Sequence, residues 1–545
     1  MSLSSKGFAL KEHWLDEFID YVIEKSKEHV VASGTSISGS AHIGNIADPL
    51  YAHAIAKEIG NRGGKARALW IADDMDPLDS VPPPIPQDFK KYLGMPYVDI
   101  PDPYHCCRSW AEHFIKEFLD AMDKLGLEVK FLSGAEMYRD GTYLPWIRMA
   151  LKEAQAIREI LLRVSGMSKP NDWLPYMPVC ENCGKIGTTY AYDFQGDKVL
   201  YKCNIETGYA KGCGYEGECD IKSGRGKLQW RVEWAARWAA LGVTIEPFGK
   251  EHAAAGGSYD TSKVIVKEVF GKEPPIPLTY EHVMIGGKKM SKSKGNIFTP
   301  SQWFEVAPPE TLKFFLFRVH PMRHKDFKVE DLPKLIAEYE KAERIYYGFE
   351  KPQDPKIEVL AKRNYELSQV REPSKVMPIQ LPYDFAVVLV QLYPNLSMNR
   401  LLEILRITGH LWREPTEEDI ERLKVRLKHA STWVEKYAPE SAKIRMIEDP
   451  SQVRDKLTEK QREALYKAAQ ILMEREWEVN ELNNRFFELA KSMGLTPPAF
   501  FEAAYLALMG KKSGPRLVNF IAAIGREKAA QMFLKASGHE ADTFK

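Results

Sequence analysis

The sequence predicts an α/β domain built on a parallel sheet, interrupted by a cysteine-bearing insertion and followed by an all-α C-terminal region. Short apolar strands and a helix alternate in "HVVASG", "LYAHAIAKEIG" and "KARALWIAD", which is the pattern of a βαβ unit. All seven cysteines lie between Cys106 and Cys219. From residue 350 onward, apolar residues recur with helical spacing. A chain of 545 residues is also too long for one hydrophobic core, so several domains are expected.

The composition is typical of a soluble globular protein, with 44% hydrophobic and 28% charged residues. No apolar run approaches the ~20 residues that a membrane-spanning helix needs. The N-terminal segment has helical spacing rather than the apolar core of a secretion signal, so we expect a cytoplasmic protein with no membrane partner. The formal net charge of +1 means that any nucleic-acid partner must be met by local basic patches rather than by a global field, so the composition neither suggests nor excludes RNA binding.

The α/β signals stop and resume, and this sets the predicted domain boundaries. They stop at the proline-rich "DSVPPPIPQ" and return at "WRVEWAARWAALGVTIEPFG", so the α/β domain is predicted in two segments, 1–100 and 225–300. The residues between them, 101–224, are predicted to form the insertion. A helical region at 301–349 is expected to continue from the second segment, and 350–545 is predicted to be an all-α domain.

The stretch "SGTSISGSAHIGN" lies where the first strand ends and the first helix begins. His42, Gly44 and Asn45 then stand at a helix N-terminus, where unpaired backbone N–H groups and the helix dipole favour an anion. His42 can donate to a phosphate oxygen and stabilise the charge that develops as pyrophosphate leaves. A plain turn with a capping histidine is the alternative, because the glycine spacing fits neither G-x-G-x-x-G nor a P-loop.

A second motif, "KKMSKSKGN", carries four lysines on a short loop. Ammonium groups on such a loop suit transient contact with a polyphosphate whose charge grows in the transition state. The alternative is a solvated basic loop, which is the usual interpretation of a lysine run. That alternative does not explain the Met-Ser-Lys-Ser at the centre of the motif.

The cysteine spacing predicts a zinc site. Cys180 and Cys183 have the two-residue gap of a zinc knuckle, and Cys203, Cys213 and Cys219 follow. Five candidates therefore compete for four ligand positions. We favour Cys180, Cys183, Cys203 and Cys213, because "KGCGYEG" gives Cys213 the glycine-flanked turn usual behind a thiolate ligand, and Cys219 is then the spare.

A second metal site is predicted in "DPYHCCRSWAEH". Adjacent thiols rarely form a disulfide with each other and are unusual as plain core residues. Four side chains can close a second tetrahedral zinc site here, with His105 as an alternative ligand: Asp102, Cys106, Cys107 and His113. Both sites are predicted to be structural, because four protein ligands leave no open position.

Together, HIGN and the later KMSKS resemble the signature pair of class I aminoacyl-tRNA synthetases. KMSKS is intact, whereas the first motif ends in Asn45 where the best-known form of the family has a second histidine. Segments spread over nearly the whole chain resemble the archaeal type of class I lysyl-tRNA synthetase in detail. They include "WIADDMDPLDSVPPPIPQDFKKYLGMP", "DPYHCCRSWAEHF", "GKEHAAAGGSYDTSK" and "KKSGPRLVNF". The glutamyl-tRNA synthetases are close relatives that share the catalytic fold.

This resemblance implies a Rossmann-type catalytic domain, a zinc-binding insertion that contacts the acceptor stem, and a stem-contacting region at 301–349. It also implies an anticodon-binding domain at 350–545. The implied enzyme is an ATP-dependent ligase that forms lysyl-adenylate from L-lysine and ATP, with Mg²⁺, and transfers lysine to the terminal adenosine of tRNA(Lys). Similar family members carry two zinc ions. Activation is expected to need the tRNA, and DNA is not an expected partner.

The resemblance also assigns residues to the ATP site. Gly249 would permit close approach, Glu251 would accept from ribose hydroxyls, and the backbone of Met284 and Ile285 would face adenine. Relatives commonly carry aspartate where this chain has Glu251, so the extra methylene shifts that carboxylate. The expected catalytic residues are His42, Asn45, Lys289 and Lys292. The expected ATP-binding residues are His42, Gly44, Asn45, Gly249, Glu251, Met284, Ile285, Lys289, Ser291 and Lys292.

A lysine substrate needs acceptors for its ammonium groups. "IADDMD" places Asp73, Asp74 and Asp76 after the second strand, at the carboxyl edge of the sheet where ligands bind, with a plain acidic turn as the alternative. Trp230 or Trp234 can pack against the lysine stem or its cation, although such tryptophans are more often core residues. The expected lysine-binding residues are Gly34, Ser36, Asp74, Trp230, His252 and Tyr280.

Three other functions stay open at this point. A class I synthetase of another specificity, such as glutamate, would share both motifs. A non-catalytic synthetase-like protein that binds RNA or zinc would be expected to have lost one of them. A small nucleotidyltransferase with an H-x-G motif would have no need of the helical C-terminal region.

Overall fold

The structure is a computed structural model that describes residues 13–539. The chain divides into two compact units. The first unit comprises the residues up to Phe304, Pro308–Lys328 and Pro352–Pro373, and the second comprises Glu305–Ala307, Val329–Lys351 and the residues from Ser374 onward.

The helices and strands follow each other along the chain in an order that changes from mixed to purely helical. Up to residue 328 they are α1 (Trp14–Lys25), β1 (Glu28–Ser36), α2 (Ala47–Asn61), β2 (Lys65–Asp73), α3 (Trp110–Lys124), β3 (Lys130–Ser133), α4 (Gly134–Arg139), α5 (Leu144–Lys152), α6 (Ala154–Ser165), β4 (Tyr176–Pro178), β5 (Tyr190–Gln195), β6 (Lys198–Lys202), β7 (Glu216–Asp220), β8 (Gly226–Leu228), α7 (Trp230–Leu241), β9 (Ile245–Gly249), α8 (Ser258–Glu268), β10 (Ile276–Tyr280), β11 (Val283–Ile285), β12 (Lys288–Lys289), α9 (Pro300–Val306), α10 (Pro309–Phe317) and β13 (Lys325–Phe327).

The remaining elements are α-helices and short 3₁₀ turns. The α-helices are α11 (Leu332–Tyr346), α12 (Pro355–Ser368), α13 (Tyr383–Leu392), α14 (Met398–Ile407), α15 (Glu417–Lys436), α16 (Glu459–Glu474), α17 (Val479–Ser492), α18 (Pro497–Met509), α19 (Leu517–Ile524) and α20 (Arg526–Ser537).

A five-stranded parallel sheet with the order β10-β9-β1-β2-β3 forms the centre of the first unit. Strands β1 and β2 pair over their whole length, from Glu28 opposite Lys65 to Ser36 opposite Asp73. Because the strands are parallel, both carboxyl ends lie at one edge, where ligands bind in open α/β sheets. The predicted α/β fold class is confirmed, and the first motif lies at this edge.

The sheet takes one strand from the segment that the sequence analysis placed in the insertion. Leu69 to Ala72 of β2 pair in parallel with β3, which lies within 101–224. The four residues of β3, "KFLS", are too few to show a strand period, which is why the sequence pattern does not distinguish them from their helical surroundings. The cysteine-bearing part of the insertion follows, as two small antiparallel sheets, β4-β8 and β5-β6-β7.

The second unit is helical throughout its described residues: α11 and α13–α20 belong to it, with no strand among them. Capping boxes start two of its helices, α15 with Thr416 and Asp419, and α16 with Thr458 and Gln461. The predicted all-α C-terminal region is confirmed, whereas α12, inside the predicted range 350–545, groups with the first unit. None of the helices in residues 13–539 is both long and apolar enough to cross a membrane.

Candidate active site

A cavity of about 400 Å³ opens at the carboxyl edge of the parallel sheet. Side chains from β1, β9, β10 and the loops after them line it, and both sequence motifs contribute. The predicted site residues that it brings together are Gly34, Ser36, His42, Gly44, Asn45, Trp230, Gly249, Glu251, His252, Tyr280, Lys289, Ser291 and Lys292. Residues far apart in sequence therefore form one site.

His42 is held as a neutral hydrogen-bond donor. The backbone N–H of Gly44 donates to its Nδ1 at 3.1 Å, which assigns the ring proton to Nε2. Burial, with Lys292 and Lys289 nearby, lowers the pKa of His42 to about 3. The Oδ1 of Asn45 accepts from the backbone N–H of His42 at 3.1 Å, so its Nδ2 can donate to a ligand. Both side chains can thus donate to an anion without carrying charge themselves.

The KMSKS loop reaches the first motif through Lys292. Its ammonium donates to the carbonyls of Ser36 and Gly39, at 3.4 and 3.2 Å. The loop is closed by Asn296, whose Oδ1 accepts from the backbone N–H of Ser291 and whose Nδ2 donates to the carbonyl of Lys289. Burial lowers the pKa of the Lys292 ammonium to about 8. A cation is thereby placed at the mouth of the turn after β1.

Glu251 folds back over Gly249, at the end of β9. A Cβ on Gly249 would lie only 2.4 Å from Oε2 of Glu251, so a larger residue would require this carboxylate to move. The same oxygen lies 3.5 Å from Nε2 of His282, which the sequence analysis did not identify. The longer glutamate side chain therefore still reaches the cavity wall.

Three predicted residues do not line the cavity. Met284 and Ile285 lie in β11, which pairs with β12 on one side and β13 on the other. Asp74 is 2% exposed, and its carboxylate accepts from Ser133 Oγ at 2.5 Å and from the backbone N–H of Ala135 at 2.7 Å. The prediction that Asp74 binds lysine is corrected accordingly: this carboxylate closes the turn between β3 and α4.

A buried ionic network that the sequence analysis missed lies beneath the cavity. Arg237 is completely buried, forms an ion pair with Asp73, and donates from Nε to the hydroxyl of Tyr143 at 3.3 Å. Lys227 contacts Glu233 at 2.7 Å and also forms an ion pair with Asp76. The sequence does contain a signal for this network: charged residues at positions 231, 233 and 237 interrupt the apolar residues of "WRVEWAARWAAL".

Aromatic rings form one wall of the cavity. Trp230 and Trp234 stack with their ring centroids 5.1 Å apart, and His252 lies 5.4 Å from Trp234. Phe248 approaches the edge of Trp234 at 5.2 Å. Both candidate tryptophans line the cavity; Trp230 is partly exposed, whereas Trp234 is 1% exposed and also belongs to the hydrophobic core.

Two acidic residues in the cavity were also missed. Asp48, in the first turn of α2, accepts a hydrogen bond from the hydroxyl of Tyr280. Glu246, on β9, accepts from Trp234 Nε1 at 2.8 Å and from Trp238 Nε1. Asp48 follows "HIGN" closely, and Glu246 is an acid within the apolar strand "IEPFG"; both features are visible in the sequence.

The four favoured cysteines form one cluster. Sγ of Cys180 lies 3.7 Å from that of Cys213, and Sγ of Cys183 lies 3.7 Å from that of Cys203. Four thiolates on a tetrahedral zinc ion stand about 3.8 Å apart, because each Zn–S bond is about 2.3 Å long. The donor set therefore fits zinc. Cys219 lies apart, with its Sγ 3.4 Å from the carbonyl of Arg225.

The second predicted cluster also forms. Oδ1 of Asp102 and Sγ of Cys106 each lie 3.2 Å from Nδ1 of His113, and the two adjacent thiols are 3.8 Å apart. All four potential ligand atoms lie within 4.8 Å of one another. His105 adopts a φ of 58° and is not part of the cluster. One carboxylate, two thiols and one imidazole are suitable zinc ligands.

Comparison with known proteins identifies the family. Residues 12–371 match the family described as "tRNA synthetases class I (K)", and residues 397–531 match the "Anticodon binding domain". A protein of Methanosphaera stadtmanae named "Lysine--tRNA ligase" is 38% identical over 96% of this chain and 99% of its own length. Proteins of the same name from Methanocaldococcus jannaschii and Pyrococcus horikoshii are 38% and 39% identical, each over 94% of this chain and 98% of its own length. The chain therefore belongs to the family of class I tRNA synthetases designated K.

Proposed function

We propose that this chain is a lysine–tRNA ligase, which activates L-lysine with ATP and transfers it to the terminal adenosine of tRNA(Lys). The observation that carries the proposal is the contact of Lys292 with the carbonyls of Ser36 and Gly39. Through it, the HIGN and KMSKS motifs face one cavity. The names of the three relatives support the lysine specificity.

Activation requires in-line attack of the lysine carboxylate on the α-phosphorus of ATP. One P–O bond forms to the carboxylate oxygen, and the bond to the bridging oxygen of pyrophosphate breaks with its electron pair. Nε2–H of His42 and the ammonium groups of Lys289 and Lys292 would stabilise the charge that accumulates on the leaving group. These residues bind and orient; no covalent enzyme intermediate is needed.

The rest of the ATP site follows the same scheme. Glu251, held over Gly249, would accept from the ribose hydroxyls, and the backbone of Met284 and Ile285 would contact adenine. Gly44 and Ser291 would offer donors to the phosphates, and ATP would enter with Mg²⁺ bound. The same reasoning places the lysine stem between Gly34 and Ser36 on one side and the Trp230–His252 wall on the other.

Zinc would be held at both clusters in a structural role. The four-cysteine cluster would tie the small antiparallel sheets together, and the cluster around Asp102 would fix the loop before α3. Zinc would supply cross-links rather than chemistry, because all four positions are taken by the protein. Metal analysis of the purified protein should give two zinc ions per chain, and a value near one would remove the second site.

The transfer RNA would contact both units. Residues 101–224 and 301–349 would approach the acceptor stem, and the helical domain from 350 onward, which includes the matched region 397–531, would read the anticodon. As a translation enzyme, the protein would act in the cytoplasm.

An ATP–pyrophosphate exchange panel across the amino acids, with and without tRNA, tests the proposal. We expect exchange with lysine and not with glutamate, and we expect it to depend on tRNA. Exchange with glutamate alone would identify a glutamate enzyme. No exchange with any amino acid in the presence of tRNA would favour a non-catalytic RNA-binding protein.

A further inference from the structure

The turn between β1 and His42, residues 37–41, leads into the first motif and is held from two sides. On one side, the ammonium of Lys292 donates to the carbonyls of Ser36 and Gly39, at 3.4 and 3.2 Å. The proposed reaction directs this same ammonium to the leaving pyrophosphate. When Lys292 turns to the phosphates, its contacts with the carbonyls weaken, so the turn needs an anchor that does not depend on this lysine.

Helix α3 provides such an anchor on the other side of the turn. The indole Nε1–H of Trp110 donates to the carbonyl of Ile37 at 2.8 Å, and the hydroxyl of Ser40 donates to Oε2 of Glu117 at 3.0 Å. Trp110 and Glu117 are seven residues apart, which is close to two helical turns, so both lie on one face of α3. This face therefore contacts the turn near each of its ends.

Helix α3 is itself fixed by its packing. Trp110 is completely buried and stacks on Tyr97, with ring centroids 6.3 Å apart. Phe118, which is 2% exposed, packs against Trp70 of β2 at a centroid distance of 5.0 Å. Close-packed aromatic side chains such as these leave little room for movement. A side chain on α3 can therefore hold the turn in place relative to the parallel sheet.

Glu117 lies behind the turn rather than in the cavity. Neither Glu117 nor Ser40 is among the described residues that line the cavity. A hydrogen bond from a hydroxyl to a carboxylate is stronger than one between neutral groups. Burial raises the pKa of Glu117, and the hydrogen bond from Ser40 opposes this rise. Because Ser40 is two residues before His42, a shift of Ser40 would displace the imidazole that follows it.

We propose that Glu117 is a positioning residue for amino acid activation, which acts through Ser40 to hold the turn and thereby places His42 against the phosphates of ATP. This inference rests on the proposed function, in which Nε2–H of His42 donates to the phosphates. Donors stabilise a transition state best when they are held in place before the reaction begins. A displacement of about 1 Å can cost about 10²-fold in rate, so a residue outside the cavity can matter for activation.

A double-mutant cycle in tRNA-dependent ATP–pyrophosphate exchange with lysine tests the proposal. Glu117→Ala and Ser40→Ala should each lower kcat/KM for ATP by about 10-fold, the lower end of the range for a hydrogen bond to a charged group. The double variant should also lose about 10-fold, because the two side chains form one interaction. Losses that multiply to about 100-fold would show that Glu117 does not act through Ser40 and would overturn the proposal, as would no loss in Glu117→Ala.

A conservative variant and a control on the same helix make the result specific. The side-chain oxygen of Glu117→Gln can still accept from Ser40, so kcat/KM should stay within about threefold of the wild type. A loss as large as that of Glu117→Ala would assign the effect to the charge and contradict the proposal. Asp123→Ala removes an exposed carboxylate from α3 and should exchange normally, and an equal loss there would also contradict it.

The zinc content of each variant should equal that of the wild type. This measurement is needed because His113, which belongs to the neighbouring metal cluster, lies about one turn before Glu117 on α3. Loss of zinc in Glu117→Ala would assign the effect to the cluster instead of the turn and would overturn the proposal. If Glu117→Ala is unstable, Ser40→Ala, which leaves α3 unchanged, provides the same comparison with the wild type.

Hydrogen exchange separates this inference from the proposed function. The amides of residues 37–45 should exchange faster in Glu117→Ala than in the wild type, and those of α3 should be unchanged. Equal exchange of residues 37–45 in the two proteins would overturn the anchoring role. An active wild type with unchanged kcat/KM in Glu117→Ala defeats this inference alone. A wild type that is inactive with every amino acid in the presence of tRNA defeats the proposed function, and with it the assignment of Glu117 to activation.

Discussion

The two ends of the cavity handle charge in opposite ways. At the phosphate end, Lys292 is half-buried and donates to two backbone carbonyls, and His42 is held neutral by burial and a backbone N–H. At the floor, Arg237 is completely buried and paired with Asp73, which is itself 7% exposed. The phosphate end presents hydrogen-bond donors that form no ion pair with a carboxylate among the described residues. At the floor, the charged side chains are paired with each other.

Because of this difference, we expect the two ends to contribute to different properties, one to catalysis and the other to stability. A cation that donates to neutral carbonyls keeps its charge available for an incoming polyphosphate. Removing such a side chain changes the free energy of unfolding little when no ligand is bound. A buried cation that neutralises a buried carboxylate cannot be removed without leaving that carboxylate uncompensated. We therefore expect substitutions at the floor to lower the free energy of unfolding, and substitutions at the phosphate end to lower the rate of activation.

The largest effect is expected at the floor. Arg237→Met should lower the free energy of unfolding by about 3–5 kcal/mol, because it leaves Asp73 buried without its partner. Urea denaturation followed by tryptophan fluorescence measures this change. The control is Arg163→Met, which removes an exposed ion pair with Glu268 and should cost no more than about 1 kcal/mol. Equal losses in the two variants would contradict the division between the ends.

The next effect is expected at the phosphate end. Lys292→Ala should lower the rate of ATP–pyrophosphate exchange by about 10²–10³-fold, the typical cost of removing one charge-stabilising donor. Its urea midpoint should stay within error of the wild type, because the partners of Lys292 are two carbonyls that water can satisfy. The neighbouring Lys294 does not line the cavity, so Lys294→Ala serves as the control and should exchange normally. Normal exchange in Lys292→Ala would contradict its assigned role.

The two ends also differ in how far the sequence predicts them. At the phosphate end, the motifs name residues within two short segments, and the structure brings His42, Asn45 and Lys292 to one cavity, where their roles stay predictions. The floor was missed, because Arg237 and Asp73 are 164 positions apart and only the fold brings them together. Asp73 and Asp74 show what a local pattern leaves open, because successive residues at a strand end point to opposite sides and the sequence does not say where each side chain goes. The structure pairs Asp73 with Arg237 and Asp74 with Ser133, and neither aspartate lines the cavity. The cysteine clusters could be predicted, because the spacing of zinc ligands along a chain reflects the geometry of the site that they form.

A smaller effect is expected where the two ends meet, at Gly34. A Cβ there would lie 2.8 Å from Nη1 of Arg237, which the pair with Asp73 prevents from moving freely. Gly34→Ala should therefore cost about 1–3 kcal/mol as overpacking and raise the KM for lysine. Gly60→Ala is the matched control, since a Cβ on this helical residue meets nothing within 4 Å, and it should be neutral or stabilising. Unchanged lysine KM and stability in Gly34→Ala would show that Arg237 is not fixed.

The smallest effect is a pH dependence that belongs to the phosphate end alone. Burial lowers the pKa of Lys292 to about 8, so the ammonium is charged below that pH and is lost as the pH rises through it. The value of kcat/KM for ATP reports the free enzyme, so it should be level below pH 8 and fall about tenfold per pH unit above it. Lys292→Arg keeps its charge throughout this range and should move the fall to higher pH, whatever its absolute rate.

A wild-type profile that stays level beyond pH 9 would contradict the assignment. A fall at the same pH in both proteins would place the titrating group elsewhere, because a guanidinium does not lose its proton there. The floor should contribute nothing to this profile, because Arg237 stays protonated over the whole pH range. Burial lowers the pKa of Arg237, but pairing with Asp73 outweighs this effect and raises the pKa well above its ordinary value.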